Sequence, residues 1–178
     1  MPELPEVETI VLAQQTAVPD DATVLVIAGP QTDFLPPEID AIKAYLARGG
    51  KVLAMVDPAT DPAAPEQPNL TALLKEWGLQ LGNDVVLDAS GIGRLLGTDA
   101  SVPVAANYPP HAITTNFELM TAFPLARSVT PVEGGVDGRI AQAIVETGPQ
   151  SWAEADLAGL AKGDGRVELN PERGDRQG

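Results

Sequence analysis

The sequence predicts an α/β domain in which mostly parallel strands are flanked by helices and followed by an antiparallel C-terminal extension. Two observations predict this class. Thr23–Ala28 and Lys51–Val56 are continuous aliphatic runs, a pattern typical of strands buried on both faces. Between them, Pro37–Arg48 repeats apolar residues at three- and four-residue spacing, which predicts an amphipathic helix. Strands joined by such a helix are expected to be parallel, with a right-handed crossover.

The predicted helix has clear start and stop signals. Pro36 and Pro37 stand at its N-terminus, where the missing amide hydrogen of proline breaks no helical bond. Gly49 and Gly50 follow it, and glycine readily adopts the left-handed conformation that ends a helix. The strand–helix–strand unit is therefore the most firmly predicted part of the chain.

Further elements are predicted on both sides of this unit. Glu6–Leu12 is expected to be a strand that pairs beside the two strands above, and Val85–Leu87 is expected to be a third buried strand. Leu70–Trp77 has the pattern of a short helix, with Asn69 as its N-cap and Gly78 as its stop.

The C-terminal half has weaker patterning. Residues 89–110 contain several glycines and prolines and predict a long loop, with room for a short strand. Thr121–Val132 and Arg139–Thr147 are expected to pair as antiparallel strands. Ser151–Glu154 fits either a helix capping box or a loop. We expect residues 1–162 to form one domain and residues 163–178 to be a frayed polar segment.

Composition excludes several classes of protein. The chain has 178 residues, with 11 Lys and Arg against 25 Asp and Glu, so its net charge is −14. This charge disfavours binding to nucleic acids and to acidic membrane surfaces. The sequence has no cysteine and one histidine, so it offers no disulfide, no thiolate nucleophile and no multi-histidine metal site. We expect no metal and no cofactor, and the apolar runs are too short to span a bilayer.

Candidate binding residues follow the predicted strands. In a parallel sheet, ligands bind outside the carboxyl ends of the strands. Asp57 ends the second predicted strand, although an Asp-Pro pair also simply begins a turn. The candidate ligand-binding residues are those at the strand ends together with the single histidine: Gly29, Pro30, Gln31, Thr32, Asp57, Ser90 and His111.

Two catalytic alternatives stay open at this point. His111 is the only side chain whose ordinary pKa lies near neutrality, so a hydrolase could use it with Ser90 or a nearby carboxylate. The segment Met1–Thr9 resembles the start of formamidopyrimidine-DNA glycosylases, which implies Pro2 as nucleophile and Glu3 as its partner. That family has a four-cysteine zinc finger and a basic DNA groove, and this chain has neither. We interpret the match as coincidental and keep the glycosylase as a remote alternative.

Another resemblance spans nearly the whole chain. The chain is similar to the soluble domain of GldG-type proteins, which are auxiliary components of ABC transport systems, associated with gliding motility and assigned to substrate binding. The residues that carry this resemblance are Val18–Pro30, Glu38, Tyr45-Leu46, Gly49–Leu53, Asp57-Pro58, Tyr108–Thr114, Phe123–Ser128, Ser151–Glu154 and Gly174–Gly178. The resemblance implies a flavodoxin-like or glutamine-amidotransferase-like domain that lacks the catalytic cysteine. The same type of domain occurs in an intraflagellar transport subunit, where its role is assembly.

The resemblance also implies a role and a location. It implies a non-catalytic binding or scaffold domain, not an enzyme. Its partners would be ABC transporter permease and ATPase subunits or related membrane proteins, with a small molecule as a further ligand and no nucleic acid. Family members carry flanking membrane helices, so we expect a soluble piece of a protein at the periplasmic or extracytoplasmic face of the inner membrane. The piece itself is expected to make no membrane contact.

Overall fold

The computed structural model describes residues 6–61, 64–162 and 168–177. Pro2 and Glu3 lie outside the described residues, as do residues 163–167 and 178 of the predicted C-terminal segment. The α/β class is confirmed, because helices and strands both build the chain. No helix in the described ranges combines the length and the apolar character that crossing a membrane requires.

The N-terminal part contains the predicted strand–helix–strand unit. The elements of this part are β1 (Leu25–Ala28), α1 (Pro36–Ala47), β2 (Val52–Met55) and α2 (Pro68–Glu76). Strand β1 and strand β2 pair in parallel, with Leu25 opposite Val52 and Ala28 opposite Met55, as predicted. Gly49 follows helix α1 with a φ of +91°, so the glycine stop is also confirmed.

These elements share one apolar core. Ile42 of α1 and Leu70 of α2 have no exposed surface, and they belong to one buried cluster with Leu25 and Ile27 of β1. Burying a side chain of this size stabilises a fold by about 1.5–3 kcal/mol. The Tyr45 hydroxyl lies 3.2 and 3.3 Å from the carbonyl oxygens of residues 22 and 51, so its polar end is satisfied as well.

Helix α2 is capped from outside its own sequence. The Asp33 carboxylate, in the loop after β1, accepts hydrogen bonds from the backbone N–H of Asn69 at 2.9 Å and of Leu70 at 3.1 Å. The expected N-cap role of Asn69 is wrong, because its side-chain amide donates instead to the Phe34 carbonyl at 2.8 Å. The loop after β1 is thereby joined to the start of α2.

The C-terminal part is built from short antiparallel sheets. The elements are β3 (Leu79–Leu81), β4 (Val85–Asp88), α3 (Ile92–Leu95), β5 (Val104–Ala105), β6 (Thr121–Ala122), β7 (Val129–Pro131), β8 (Ser151–Glu154), α4 (Leu157–Lys162), a 3-10 turn (Pro171–Arg173) and β9 (Arg176–Gln177). Strand β3 pairs with β7, strand β5 with β6, and strand β8 with both β4 and β9.

The predicted mostly parallel sheet is not confirmed. In the described part of the chain, β1 and β2 form the single parallel pair. Val85–Leu87 is a buried strand as predicted, but it pairs antiparallel with β8. An aliphatic run specifies an extended, buried segment and does not specify its partner, which is why the element was predictable and the sheet was not.

Five local predictions are corrected. Glu6–Leu12 and Arg139–Thr147 contain no strand, and Val136 makes only an isolated bridge to Arg139. Residues 121–122 and 129–131 form two separate strands with different partners. Residues 151–154 form the buried strand β8, so neither the expected capping box nor the expected loop is present. The predicted loop 89–110 contains the short strand β5, for which the prediction left room, and also the short helix α3, which was not predicted.

The last described residues are attached to the domain. Arg176–Gln177 pair with β8, and the buried Asp175 carboxylate accepts backbone hydrogen bonds from Ala155 at 3.0 Å and Asn170 at 2.7 Å. Specific backbone and side-chain contacts therefore join these residues to β8 and to the residue that follows it.

Candidate functional site

Two of the predicted binding residues meet at the ends of the parallel strands. The Gly29 N–H donates to the Met55 carbonyl at 2.8 Å, which continues the pairing of β1 with β2. Gly29 has a φ of +53°, and a Cβ atom on it would lie 3.1 Å from Asp57 Oδ2. The close approach and the left-handed backbone both favour glycine here. Asp57 is exposed.

The loop after β1 carries the next three candidates. The Gln31 side-chain amide donates to the Gly29 carbonyl at 3.0 Å, and the Gln67 amide donates to the Pro30 carbonyl. Thr32 is exposed. Hydrogen bonds within the loop and to Gln67, the residue before α2, therefore fix its position, and Asp57 lies close to Gly29 at its start.

Ser90 and His111 lie in two other loops. The Ser90 N–H donates to Asp88 Oδ1 at 2.8 Å, and the Ser90 hydroxyl accepts from the Ile92 N–H at 3.3 Å. His111 Nδ1 accepts from the Ile113 N–H at 3.1 Å. Across the described residues, no hydrogen bond joins Ser90 to His111 or joins either of them to the loop after β1. Each side chain stabilises its own turn.

Arg127 connects the two parts of the chain at this end of β2. Its Nε donates to the Gly82 carbonyl at 2.7 Å, and its Nη1 donates to the Asp57 carbonyl at 3.1 Å. Burial lowers the pKa of Arg127, and the charge of Asp84 acts in the opposite direction. The sequence does not predict this role, because the partners of Arg127 are backbone carbonyls far away along the chain.

Asp84 is the centre of a polar cluster on the C-terminal part. Its carboxylate is 3% exposed and accepts from the Ser128 N–H at 2.8 Å, the Ser128 hydroxyl at 2.7 Å and Arg176 Nη2 at 2.8 Å. A buried carboxylate with its acceptors filled in this way is a structural link. None of the described Asp, Glu and His side chains gather in a group that could hold a metal ion.

An apolar groove runs beside β2. We call it the β2 groove; its volume is about 540 Å³, and its boundary includes Val52, Ala54 and Val56, Trp77 after α2, and Leu79 and Leu81 of β3. None of the seven predicted binding residues is in its lining. The continuous apolar run Val52–Val56 predicts a strand here, but it does not predict a groove beside that strand.

The opposite face of the parallel pair is also apolar and open. Val24, Val26, Leu53 and Met55 are each about half exposed, with relative areas of 47–52%. Continuous aliphatic strands are expected to be covered on both faces, and here α1 and α2 cover one. We call these four residues the open sheet face.

The comparisons with known proteins agree with this architecture. The chain is similar in structure to the "mmIFT52 N-terminal domain", with a TM-score of 0.58 and 19% sequence identity over 75% of this chain and 59% of that one. At that identity the likeness concerns the fold alone, and the chain spans about 59% of that domain. No curated protein sequence matches the chain.

A family model gives the assignment. The model described as "ABC-type uncharacterized transport system" matches residues 3–177, which is nearly the entire sequence. The match covers the parallel pair, both helices that pack on it and the antiparallel sheets. The chain therefore belongs to the family of auxiliary proteins of ABC-type transport systems.

Proposed function

We propose that the chain is a non-catalytic binding domain through which an ABC-type transport auxiliary protein contacts the permease, the ATPase or a related membrane protein. The observation that carries this proposal is the family match over residues 3–177. A binding role needs an interaction surface and no catalytic group, and the arrangement of Ser90 and His111 in separate turns suits that role.

The surface of the parallel pair supports the same role. The open sheet face places four large aliphatic side chains next to one another in solvent. Contiguous exposed apolar surface is typical of protein–protein contacts. The charge of −14 leaves the rest of the surface acidic, so the chain would meet basic rims on its partners.

Location and ligand follow as parts of this proposal. We place the parent protein at the extracytoplasmic face of the inner membrane, as a GldG-type component of a gliding-motility-like system. The flavodoxin-like core of such domains would be represented here by the β1–α1–β2 unit. If a small molecule binds, the strand-end residues Gly29, Pro30, Gln31, Thr32 and Asp57 are proposed to receive it, supported by the approach of Gly29 to Asp57.

Co-purification tests the proposal. The chain is co-expressed with the permease and ATPase subunits encoded by neighbouring genes, extracted in mild detergent and captured through a tag on the permease. We expect retention of the chain by the permease. Loss of the chain in every such capture would overturn the proposal.

Matched variants locate the contact. Val26→Lys places a charge on the open sheet face, and Ile113→Lys places the same charge on an exposed loop, where the side chain is 72% exposed. We expect the first substitution to lower retention and the second to leave it unchanged. His111→Ala should also keep full retention, since no catalytic use of the imidazole is proposed.

A further inference from the structure

Strand β2 has an edge that no described strand pairs with. The Leu25 N–H donates to the Lys51 carbonyl at 2.8 Å, and the Gly29 N–H donates to the Met55 carbonyl at 2.8 Å. The backbone N–H and C=O groups of the odd-numbered residues of β2 therefore point toward β1. Because the direction of backbone groups alternates along a strand, the N–H and C=O groups of Val52 and Ala54 face the other edge.

The same residues form a wall of the β2 groove. Val52 and Ala54 line it with their side chains, next to the aliphatic residues Leu79 and Leu81 of β3. An unpaired strand edge is a template for another extended chain. Here the edge offers backbone hydrogen bonds, and the adjoining groove offers an apolar surface for alternate side chains of that chain.

We propose that the β2 groove receives an extended segment of a partner protein, which adds a strand to β2. The segment has aliphatic side chains at alternate positions and basic residues at its ends. Strand addition of this kind takes its affinity from main-chain hydrogen bonds and its specificity from side-chain pockets. The identity of the partner rests on the proposed function. The mode of binding rests on the groove and the unpaired edge of β2 alone.

The backbone groups favour a peptide over a lipid. An acyl chain would fill the apolar volume, but it would cover the N–H and C=O groups of Val52 and Ala54 without bonding them. Burying an amide without a hydrogen bond is costly. A peptide strand satisfies these groups and fills the groove at the same time.

The charge favours a basic partner over a second copy. Each chain carries a net charge of −14, so two copies repel each other. Asp57 is exposed and directly follows Val56 at the end of the groove. A lysine at the end of the bound segment would lie beside this carboxylate.

A synthetic peptide tests the mode of binding. The probe has valine at alternate positions, threonine between them, lysine at both ends and a fluorescent label, and its binding to the full chain is measured by anisotropy. We expect saturable binding. A second peptide has the same side chains but carries N-methyl groups on alternate backbone nitrogens, so it lacks half of its backbone N–H donors. Its affinity should therefore be lower by at least about tenfold.

Variants of β2 provide the matched comparison. Ala54→Pro removes an N–H that faces the unpaired edge, where proline is tolerated, and it should weaken peptide binding about tenfold. Met55→Thr changes a side chain on the open sheet face and should leave binding unchanged. Circular dichroism checks both folds, and the N-methylated peptide tests the wild-type chain even if Ala54→Pro fails to fold.

Several outcomes would overturn the inference. They are no binding of the peptide, equal binding of its N-methylated form, displacement of the peptide by palmitate with higher affinity, and a wild-type dimer that Ala54→Pro converts to a monomer. The proposed function fails separately. Peptide binding without capture by the permease would contradict the transport role alone, and capture unchanged by Ala54→Pro would contradict the groove alone.

Discussion

The N-terminal part, with β1, α1, β2 and α2, and the C-terminal part, from β3 to β9, are stabilised in different ways. The N-terminal part buries a continuous aliphatic cluster between its helices and strands. The C-terminal cluster of buried residues consists of Val85, Leu87 and Trp152. Buried carboxylates supply further contacts there, with Asp84 and Asp175 bonding segments far apart in sequence. Apolar packing dominates in the N-terminal part, whereas in the C-terminal part hydrogen bonds to buried carboxylates join separate segments of the chain.

The largest expected effect tests the apolar side of this comparison. Ile42→Ala deletes atoms from a side chain with no exposed surface, so we expect a loss of about 3 kcal/mol in the free energy of unfolding. Ile113→Ala makes the same chemical change where the side chain is 72% exposed, and it should cost less than about 0.5 kcal/mol. Urea unfolding followed by circular dichroism measures both. Equal losses would show that the aliphatic cluster is not what stabilises the N-terminal part.

The next effect tests the polar side. Asp84→Ala leaves the Ser128 N–H and Arg176 without their acceptor, and we expect a loss of about 2 kcal/mol. Glu133→Ala removes an exposed carboxylate of the same part and should stay within about 0.5 kcal/mol of wild type. Hydrogen exchange should show β7 and β9 opening first in the Asp84 variant. Unchanged protection of both strands would contradict the proposed link.

The smallest effect concerns the cap that the loop after β1 gives to α2. Asp33→Ala removes the acceptor for the Asn69 and Leu70 amides, so we expect a loss of about 1 kcal/mol and faster exchange in the first turn of α2. Asp40→Ala changes an exposed carboxylate on α1 and serves as the control. If both variants have the same stability, the carboxylate of Asp33 does not act as a cap.

The two parts also differ in how much of their structure could be predicted from the sequence. In the N-terminal part the helix and both strands follow from patterns within about thirty residues, and their parallel pairing follows from the length of the connection. In the C-terminal part β7 pairs with β3 and β8 pairs with β4, across longer stretches of chain. Short runs of mixed polar and apolar residues such as Ser151–Glu154 fit several local structures, so packing decides between them.

The candidate site shows the same division. Gly29 and Asp57 follow the two strands of the predicted parallel pair, and a Cβ atom on Gly29 would lie 3.1 Å from Asp57 Oδ2. The predicted Glu6–Leu12 strand is absent from the sheet. The β2 groove could not be foreseen, because it depends on which edge of β2 stays unpaired and on how α2 and β3 approach that edge.

The sequence by itself determined the α/β class, the parallel β1–α1–β2 unit and the family resemblance. These depend on local periodicity, on proline and glycine positions and on composition, all of which act within one element or between neighbours. Tertiary structure alone decided the antiparallel pairings, the Asp33 cap, the Asp84 link and the β2 groove. Each of these needs groups distant along the chain to meet, and such meetings depend on the packing of the entire domain.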